Sequence, residues 1–170
     1  HEFVSGSGLF TIRVRHVMTS AAYDPAVGGP IETLHYSLDT LNIQTQHRLN
    51  WALQQGGRFY VESGPTTSSS WTTQVSGSLV PTHFVERLLD GSVISTSHPD
   101  FSTSGDPIEF GFETTNGAAA GSVYIVDYDN FRVDVDAVPS AFAVRVGSPP
   151  NPEAFLPTTG GGPVVGSTWE

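Results

Sequence analysis

The sequence predicts an all-β protein, a two-sheet antiparallel β-sandwich with at most one short helix. Apolar and polar residues alternate in several short stretches, which is the period of a half-buried strand. Gly (18 residues) and Pro (12 residues), together with many Ser and Thr, separate these stretches as turns separate short strands. A chain of 170 residues suits one domain, and amphipathic strands bury their apolar faces by packing a second sheet on the first.

The alternating stretches give the strands in chain order. Residues 9–18 and 31–43 are predicted as the first two strands, because each alternates apolar and polar side chains. A weaker strand follows at 71–75. Residues 81–90, PTHFVERLLD, are the one place where apolar residues are four apart, so at most two turns of helix are predicted between Phe84 and Leu89.

Between the second strand and residue 71, the sequence predicts a β-hairpin over residues 47–63. Its two arms, HRLNWALQQ and RFYVES, are joined by Gly56-Gly57, a dipeptide typical of a two-residue turn. In the second arm, Phe59 and Val61 are expected to face the core, which places Tyr60 on the outer face.

A second hairpin is predicted over residues 107–136, with its turn at Asn116-Gly117, and this hairpin is expected to be the central element of the domain. The predicted core consists of the inward-facing apolar residues of all these strands. They are Phe10, Ile12, Val14, Leu34, Tyr36, Leu38, Leu49, Trp51, Leu53, Phe59, Val61, Ile108, Phe110, Phe112, Val123, Ile125, Phe131 and Val133.

Three segments are expected along the chain. His1-Glu2-Phe3 is interpreted as a cloning or tag remnant, the alternative being a native N-terminal His that binds copper. Residues 4–136 form the sandwich domain. Residues 137–170 are rich in Pro and Gly with two short strand-like pieces, and they are expected to be ordered and to begin a following module of a longer protein.

Charge and composition narrow the classes of partner and location. Acidic residues outnumber basic ones 17 to 7, every basic residue is Arg, and the formal net charge is −10. Such a surface is repelled by phosphate, and no stretch approaches ~20 apolar residues, so neither nucleic-acid binding nor membrane insertion is expected. The absence of Cys excludes disulfides, Cys–zinc sites and thiol catalysis. This balance favours an exported bacterial protein, secreted or at the cell surface.

Several motifs together resemble a concanavalin/laminin-G-like jelly-roll module. They are QQGGRFYVES, SSSWTTQVSGSL, GDPIEFGFETTN and VDYDNFRVDV, and the resemblance covers residues 10–136. It implies a jelly-roll-like topology with one concave and one convex sheet, and a glycan-binding or architectural role in large exported bacterial proteins. The chain lacks the Glu-x-Asp-x-x-Glu run by which the glycosidases of this fold set their nucleophile and acid.

A group of carboxylates in the last predicted strand suggests a structural Ca²⁺. Asp127 and Asp129 stand close together, and hard oxygen ligands suit Ca²⁺. The resemblance implies that Asp129 and Asn130 match the positions that hold calcium in such sandwiches. The alternative is a solvated strand face without a metal.

The candidate ligand-binding residues are polar side chains expected on strand faces opposite the apolar ones. Arg side chains can hydrogen-bond sugar hydroxyls or clamp a carboxylate, and only Tyr60 and Trp71 leave an aromatic platform open. The alternative is a set of cross-strand Arg/Glu pairs on an exposed sheet. The candidates are Arg48, Asn50, Arg58, Tyr60, Glu62 and Glu109.

The sequence therefore favours a non-catalytic extracellular module that binds a polysaccharide or cell-surface glycan, or that spaces other domains of the same polypeptide. One alternative is a polysaccharide-active hydrolase or lyase with Glu62 and Glu109 as its carboxylate pair. The other alternative is a purely structural or adhesion module without a ligand. No Gly-x-Ser-x-Gly motif in a strand-turn-helix setting points to a nucleophilic triad.

Overall fold

The computed structural model describes residues 10–43, 47–118 and 125–138. Within these ranges the chain is mostly strand, arranged in two antiparallel sheets, which confirms the predicted all-β sandwich. The helical elements are one four-residue helix, α1 (Pro25–Gly28), and a 3-10 turn (Pro81–His83). The strands are β1 (Phe10–Tyr23), β2 (Ile31–Asn42), β3 (Arg48–Gln55), β4 (Arg58–Thr66), β5 (Thr72–Val75), β6 (Val85–Arg87), β7 (Val93–Ile94), β8 (Ile108–Ala118) and β9 (Val126–Ala137).

The two sheets differ in size. The large sheet has six strands in the order β1-β8-β3-β4-β6-β7, and the small sheet has three in the order β5-β2-β9. The core lies between them and is centred on Tyr36 of the small sheet. Its ring stacks on Trp51 at 5.5 Å between centroids and meets Phe110 edge-on at 6.2 Å, both from the large sheet. Aromatic packing of this kind adds to the area buried between the sheets.

The hairpin predicted over residues 47–63 is present as β3 and β4. Gln55 pairs with Arg58 across the turn, and both turn glycines have positive φ, 57° at Gly56 and 75° at Gly57. Two positive φ values in a two-residue loop match the right-handed twist of the flanking strands, and glycine adopts them without steric cost.

The second predicted hairpin is wrong, because β8 and β9 belong to different sheets. β8 pairs with β1 and β3 in the large sheet, whereas β9 pairs with β2 in the small sheet. The two strands face each other across the core, where Phe112 lies 5.0 Å from Tyr128 and 5.5 Å from Phe131 between ring centroids. Asn116-Gly117 is a continuation of β8 opposite β1 and is not a turn.

No helix is formed between Phe84 and Leu89, where the sequence predicts at most two helical turns. Phe84 ends the 3-10 turn, and Val85–Arg87 pairs with β4 and β7 as strand β6. Leu89 is 85% exposed, so the four-residue apolar spacing does not correspond to a buried helical face. Pairing with β4 on one side and β7 on the other satisfies the backbone of Val85–Arg87, and these tertiary contacts override the local spacing.

Most of the predicted core lies between the sheets. Ile12, Val14, Phe131 and Val133 are only partly buried, Ile125 is 40% exposed and was wrongly assigned, and the side chains of Phe10 and Val123 fall outside the described residues. The predicted core residues that are buried in the central cluster are Leu34, Tyr36, Leu38, Leu49, Trp51, Leu53, Ile108, Phe110 and Phe112. The cluster also contains five buried residues outside that prediction, which are Ile31, Tyr60, Leu79, Phe84 and Phe101.

The predicted orientation of β4 is reversed. Tyr60 is opposite Leu53 and belongs to the core between the sheets, with 5% of its surface exposed. Phe59 and Val61 therefore point to the outer face of the large sheet, where they form a second, smaller cluster with Ala52. Phe59, Tyr60 and Val61 are three consecutive residues with largely apolar side chains. The alternation of apolar and polar residues therefore does not show which face of β4 points into the core.

The sandwich extends slightly beyond the predicted boundary at residue 136. β9 runs to Ala137, and the backbone N–H of Val138 donates to the carbonyl of Pro30 at 2.8 Å. Residues 1–3 and 139–170, which carry the remaining domain predictions, lie outside the described residues.

Candidate functional site

The six predicted ligand-binding residues are not gathered in one site. Asn50 is buried in a polar network on the outer face of the large sheet, while Arg58 and Tyr60 line a pocket beside the β3–β4 turn. Arg48 is exposed at the start of β3, opposite Thr115. Glu62 lies on β4 and Glu109 on β8, two strands that are separated by β3 in the large sheet.

Asn50 belongs to a network around Glu113, whose side chain is fully buried. Asn50 Nδ2 donates to Glu113 Oε1 at 3.1 Å, Arg15 Nε lies 3.4 Å from Oε2, and Arg87 Nη1 lies 3.4 Å from Oε1. Arg15 also donates to the backbone carbonyls of Arg87 at 3.2 Å and Leu88 at 2.9 Å. The network thus fastens the β6–β7 connection to the sheet, which is a structural role.

The pocket beside the β3–β4 turn has a volume of about 340 Å³ and is lined by Arg58, Tyr60, His98, Asp100 and Asp106 among others. The Arg58 guanidinium is 3.6 Å from Glu86 Oε2, and its side chain is 61% exposed. The buried Tyr60 ring offers no stacking face, so the predicted aromatic platform at this residue is wrong. Arg58 and Tyr60 are thus two of the six predicted ligand-binding residues that line the same pocket.

Glu62 and Glu109 lie on opposite faces of the large sheet. Glu62 is opposite Trp51, whose side chain points into the core, whereas Glu109 alternates with the buried Ile108 and Phe110 and so points outward. A glycosidase needs its two carboxyl groups about 5–10 Å apart on either side of one substrate bond. The proposed pair therefore cannot flank a common substrate.

A different pocket lies on the outer face of the small sheet. It has a volume of about 200 Å³ and is lined by Asp39, Trp71, Thr72, Thr73 and Asp129; we refer to it as the Trp71 pocket. Thr73, Asp39 and Asp129 are register partners that form a row across β5, β2 and β9. Trp71 precedes β5 and is 55% exposed, so its indole is available to a ligand.

A β-bulge shapes this pocket. β9 carries one more residue than β2 between the pairs Ser37–Arg132 and Asp39–Asp129, and Asn130 adopts a left-handed backbone with φ 51°. Asn tolerates this conformation better than most residues, and bulges often redirect a side chain next to a functional site. Here the Asn130 side chain turns toward β2, where its Nδ2 donates to Asp39 Oδ2 at 2.8 Å.

Hydrogen bonds favour the ionised form of Asp39 and lower its pKa. The donors Asn130 and Thr73, the latter at 2.5 Å from Asp39 Oδ1, hold the pKa of Asp39 below its ordinary value because they favour the charged carboxylate. Asp129 Oδ1 accepts from the backbone N–H of Asn130 at 2.8 Å. The pocket thus presents two carboxylates from directly opposed strand positions, an arrangement that repels unless donors or a ligand compensate it.

The three predicted metal ligands do not all lie at one site. Asp129 lines the Trp71 pocket, Asn130 directs its amide N–H to Asp39, and Asp127 is opposite Leu41. Across residues 10–43, 47–118 and 125–138, no group of three or more His, Asp or Glu is arranged to hold a metal ion. The structural Ca²⁺ stays a prediction, and we assign it no role.

Comparisons with models of known families, with curated proteins and with solved structures found no significant match. The resemblance to concanavalin/laminin-G-like modules therefore stays a prediction. No helix in the part of the chain that the structure describes is long and apolar enough to cross a membrane.

The sequence indicates that Trp71 is an open aromatic residue, but it does not show that Trp71 lies beside Asp39 and Asp129. The connection depends on the strand order β5-β2-β9, which joins positions far apart in the chain. The available signal was local: Trp71 stands in SSSWTT, a polar stretch without apolar alternation, which is an unusual setting for a core Trp.

Proposed function

We propose that the protein is a non-catalytic extracellular β-sandwich module that binds carbohydrate through the Trp71 pocket. The observation that carries the proposal is an exposed indole beside carboxylates and hydroxyls in one concave pocket. Export and attachment to other domains of the same polypeptide are part of the proposal, and the acidic, Cys-free composition supports export.

The lining of the pocket matches the chemistry of a sugar ring. A pyranose has an apolar C–H face, which can stack on the indole of Trp71, and hydroxyl groups around its rim. Asp39 and Asp129 can accept hydrogen bonds from these hydroxyls, and Thr73 adds a hydroxyl of its own. A few convergent polar groups beside an aromatic surface are typical of small-molecule sites.

Two observations favour binding over hydrolysis. The register separates Glu62 from Glu109, which removes the carboxylate pair of the enzyme alternative. Within the pocket, the pKa of Asp39 is lowered by hydrogen bonds from Asn130 and Thr73. A glycosidase acid needs the opposite shift, because it must still hold its proton at the working pH.

The test is a glycan array followed by calorimetry on the native protein and on Trp71→Ala. We expect at least one glycan to bind, and Trp71→Ala to weaken that binding by tenfold or more with the melting temperature unchanged, because the indole is largely exposed. Val75→Ala is the matched control, since Val75 is 66% exposed on the adjacent strand β5 but does not line the pocket.

Absence of binding to any glycan would leave the architectural role as the better explanation. Equal loss of binding in Trp71→Ala and Val75→Ala would place the site elsewhere. Release of reducing ends from a bound polysaccharide would show that the protein is an enzyme.

A further inference from the structure

We infer that the Trp71 pocket selects glycans that carry a protonated amine over neutral and acidic glycans. This inference rests on the proposed function and specifies the ligand class of the same site. It is carried by the charges that line the pocket and by the position of the indole among them.

The pocket has acidic groups and no basic counterpart. Asp39 and Asp129 occupy directly opposed positions on β2 and β9, and none of the lining residues in the described part of the chain is basic. The groups that donate to these carboxylates are a hydroxyl, a side-chain amide and a backbone N–H. All three donors are neutral, so the negative charge is solvated by hydrogen bonds but not cancelled.

The remaining charged groups on this face do not compensate either. Arg132 is bound to Asp134, with contacts of 2.9 Å and 2.6 Å to Oδ1, and His35 lies 3.2 Å from Asp136. Asp127 adds a further carboxylate on β9. The outer face of the small sheet is therefore acidic around the pocket, in line with the formal net charge of −10. Such a field attracts cations and repels anions.

An ammonium group suits this lining better than a hydroxyl. It supplies three donors, and each carboxylate oxygen has two lone pairs, so Asp39 and Asp129 can accept a further bond in addition to their present ones. The exposed face of Trp71 is the best aromatic partner for a cation within about 6 Å of the ring. An acidic sugar would bring its carboxylate toward two others, which opposes binding.

The test compares oligosaccharides of equal length by calorimetry: a β-1,4-glucosamine oligomer, its N-acetylated form and an oligogalacturonate. At low salt and a pH at which the amine is protonated, we expect the amine form to bind on the order of tenfold tighter than the acetylated form. Raising the ionic strength to ~0.15 M should reduce this ratio, because salt screens exposed charges. The oligogalacturonate should not bind.

Two matched variants separate the pocket from the general field of the protein. Asp129→Asn removes one charge from the pocket lining with little change of shape, and Asp127→Asn removes one charge two positions away, outside the pocket. We expect Asp129→Asn to lose most of the preference for the amine form, and Asp127→Asn to keep most of it. Equal loss in both variants would overturn the assignment to the pocket.

The outcomes distinguish this inference from the proposed function. If the amine and acetylated forms bind equally and both depend on Trp71, the inference fails and the carbohydrate-binding function stands. If none of the three oligosaccharides binds, the inference fails, and the glycan array decides separately whether the carbohydrate-binding function stands. A lysine oligopeptide serves as a further arm: Trp71-dependent binding of this peptide as tight as that of the amino glycan would overturn the inference in favour of a cationic peptide ligand.

Discussion

At the scale of single residues, Glu113 is a fully buried carboxylate with two cationic neighbours. It faces two guanidinium groups, those of Arg15 and Arg87, which retain 24% and 18% of their side-chain exposure. Burial lowers the pKa of Arg87, and the nearby Glu113 carboxylate acts against that shift. One carboxylate thus compensates two partly buried cations on the outer face of the large sheet.

Removing the charge of Glu113 should therefore be costly. Glu113→Gln keeps the shape of the side chain but leaves Arg15 and Arg87 without their ionic partner, and we expect a loss of about 3 kcal/mol in the free energy of unfolding. Urea denaturation measures this loss. The control is Glu109→Gln on the same strand, which is partly exposed and should change stability by less than ~0.5 kcal/mol. Similar effects of the two substitutions would contradict the ionic role of Glu113.

At the scale of elements, β8 is an interior strand of the large sheet, with β1 on one side and β3 on the other. At Gly111 the neighbouring strand approaches so closely that an added Cβ would collide with the backbone carbonyl of His16. At Gly117, on the same strand, an added Cβ would meet no atom within 4 Å. The two glycines have opposite tolerance for a side chain.

These positions give a matched pair of substitutions. Gly111→Ala should lower the free energy of unfolding by about 3 kcal/mol, because β1 must move to accommodate the methyl group. Gly117→Ala should be neutral or stabilise the fold by up to ~1 kcal/mol, since it restricts the unfolded chain without a clash. Thermal and urea unfolding of the two variants provide the measurement. A stable Gly111→Ala protein would mean that β1 and β8 are not packed as described.

The same elements show what sequence could and could not predict. The β3–β4 hairpin was predictable because Gly56-Gly57 specifies a tight turn between two apolar stretches. The partners of β8 and β9 were not, because alternation identifies the buried face of a strand but not the strand that pairs with it. The Trp71 pocket could not be predicted for the same reason. Its lining residues are far apart in the sequence and become neighbours because β5, β2 and β9 are adjacent in the small sheet.

At the scale of the whole molecule, Tyr36 links the two sheets. Its ring contacts Trp51 and Phe110 of the large sheet and Phe131 of its own. Its hydroxyl donates to the carbonyl of Ala52 in the large sheet at 3.1 Å. Burial raises the pKa of Tyr36 well above its ordinary value, because the phenolate would lie in the apolar core.

Replacing Tyr36 by Phe should have an effect that depends on pH. Near neutral pH, Tyr36→Phe removes the hydrogen bond to Ala52 and should cost about 1 kcal/mol. An acid whose pKa is higher in the folded state stabilises the fold fully below its unfolded pKa, and this stability is lost as the pH rises above about 10. The cost of the substitution should therefore shrink in alkali.

Urea unfolding of the native protein and of Tyr36→Phe between pH 7 and 11 measures this difference. Burial also raises the pKa values of Tyr23 and Tyr128, so a smaller alkaline slope should persist in the variant. An identical slope in both proteins would show that the Tyr36 hydroxyl is not buried between the sheets.

The bulge at Asn130 also bears on how such a pocket can arise and disappear in evolution. Along β9, Tyr128 packs against the core and so does Phe131, so the spacing of inward residues changes from two to three at this point. Deleting the single codon for Asn130 would restore an unbroken alternation at this point, leaving the inward residues from Val126 to Val135 in phase with β2. The fold can thus gain or lose the amide that holds Asp39 by an in-frame insertion or deletion of one residue, without repacking its core.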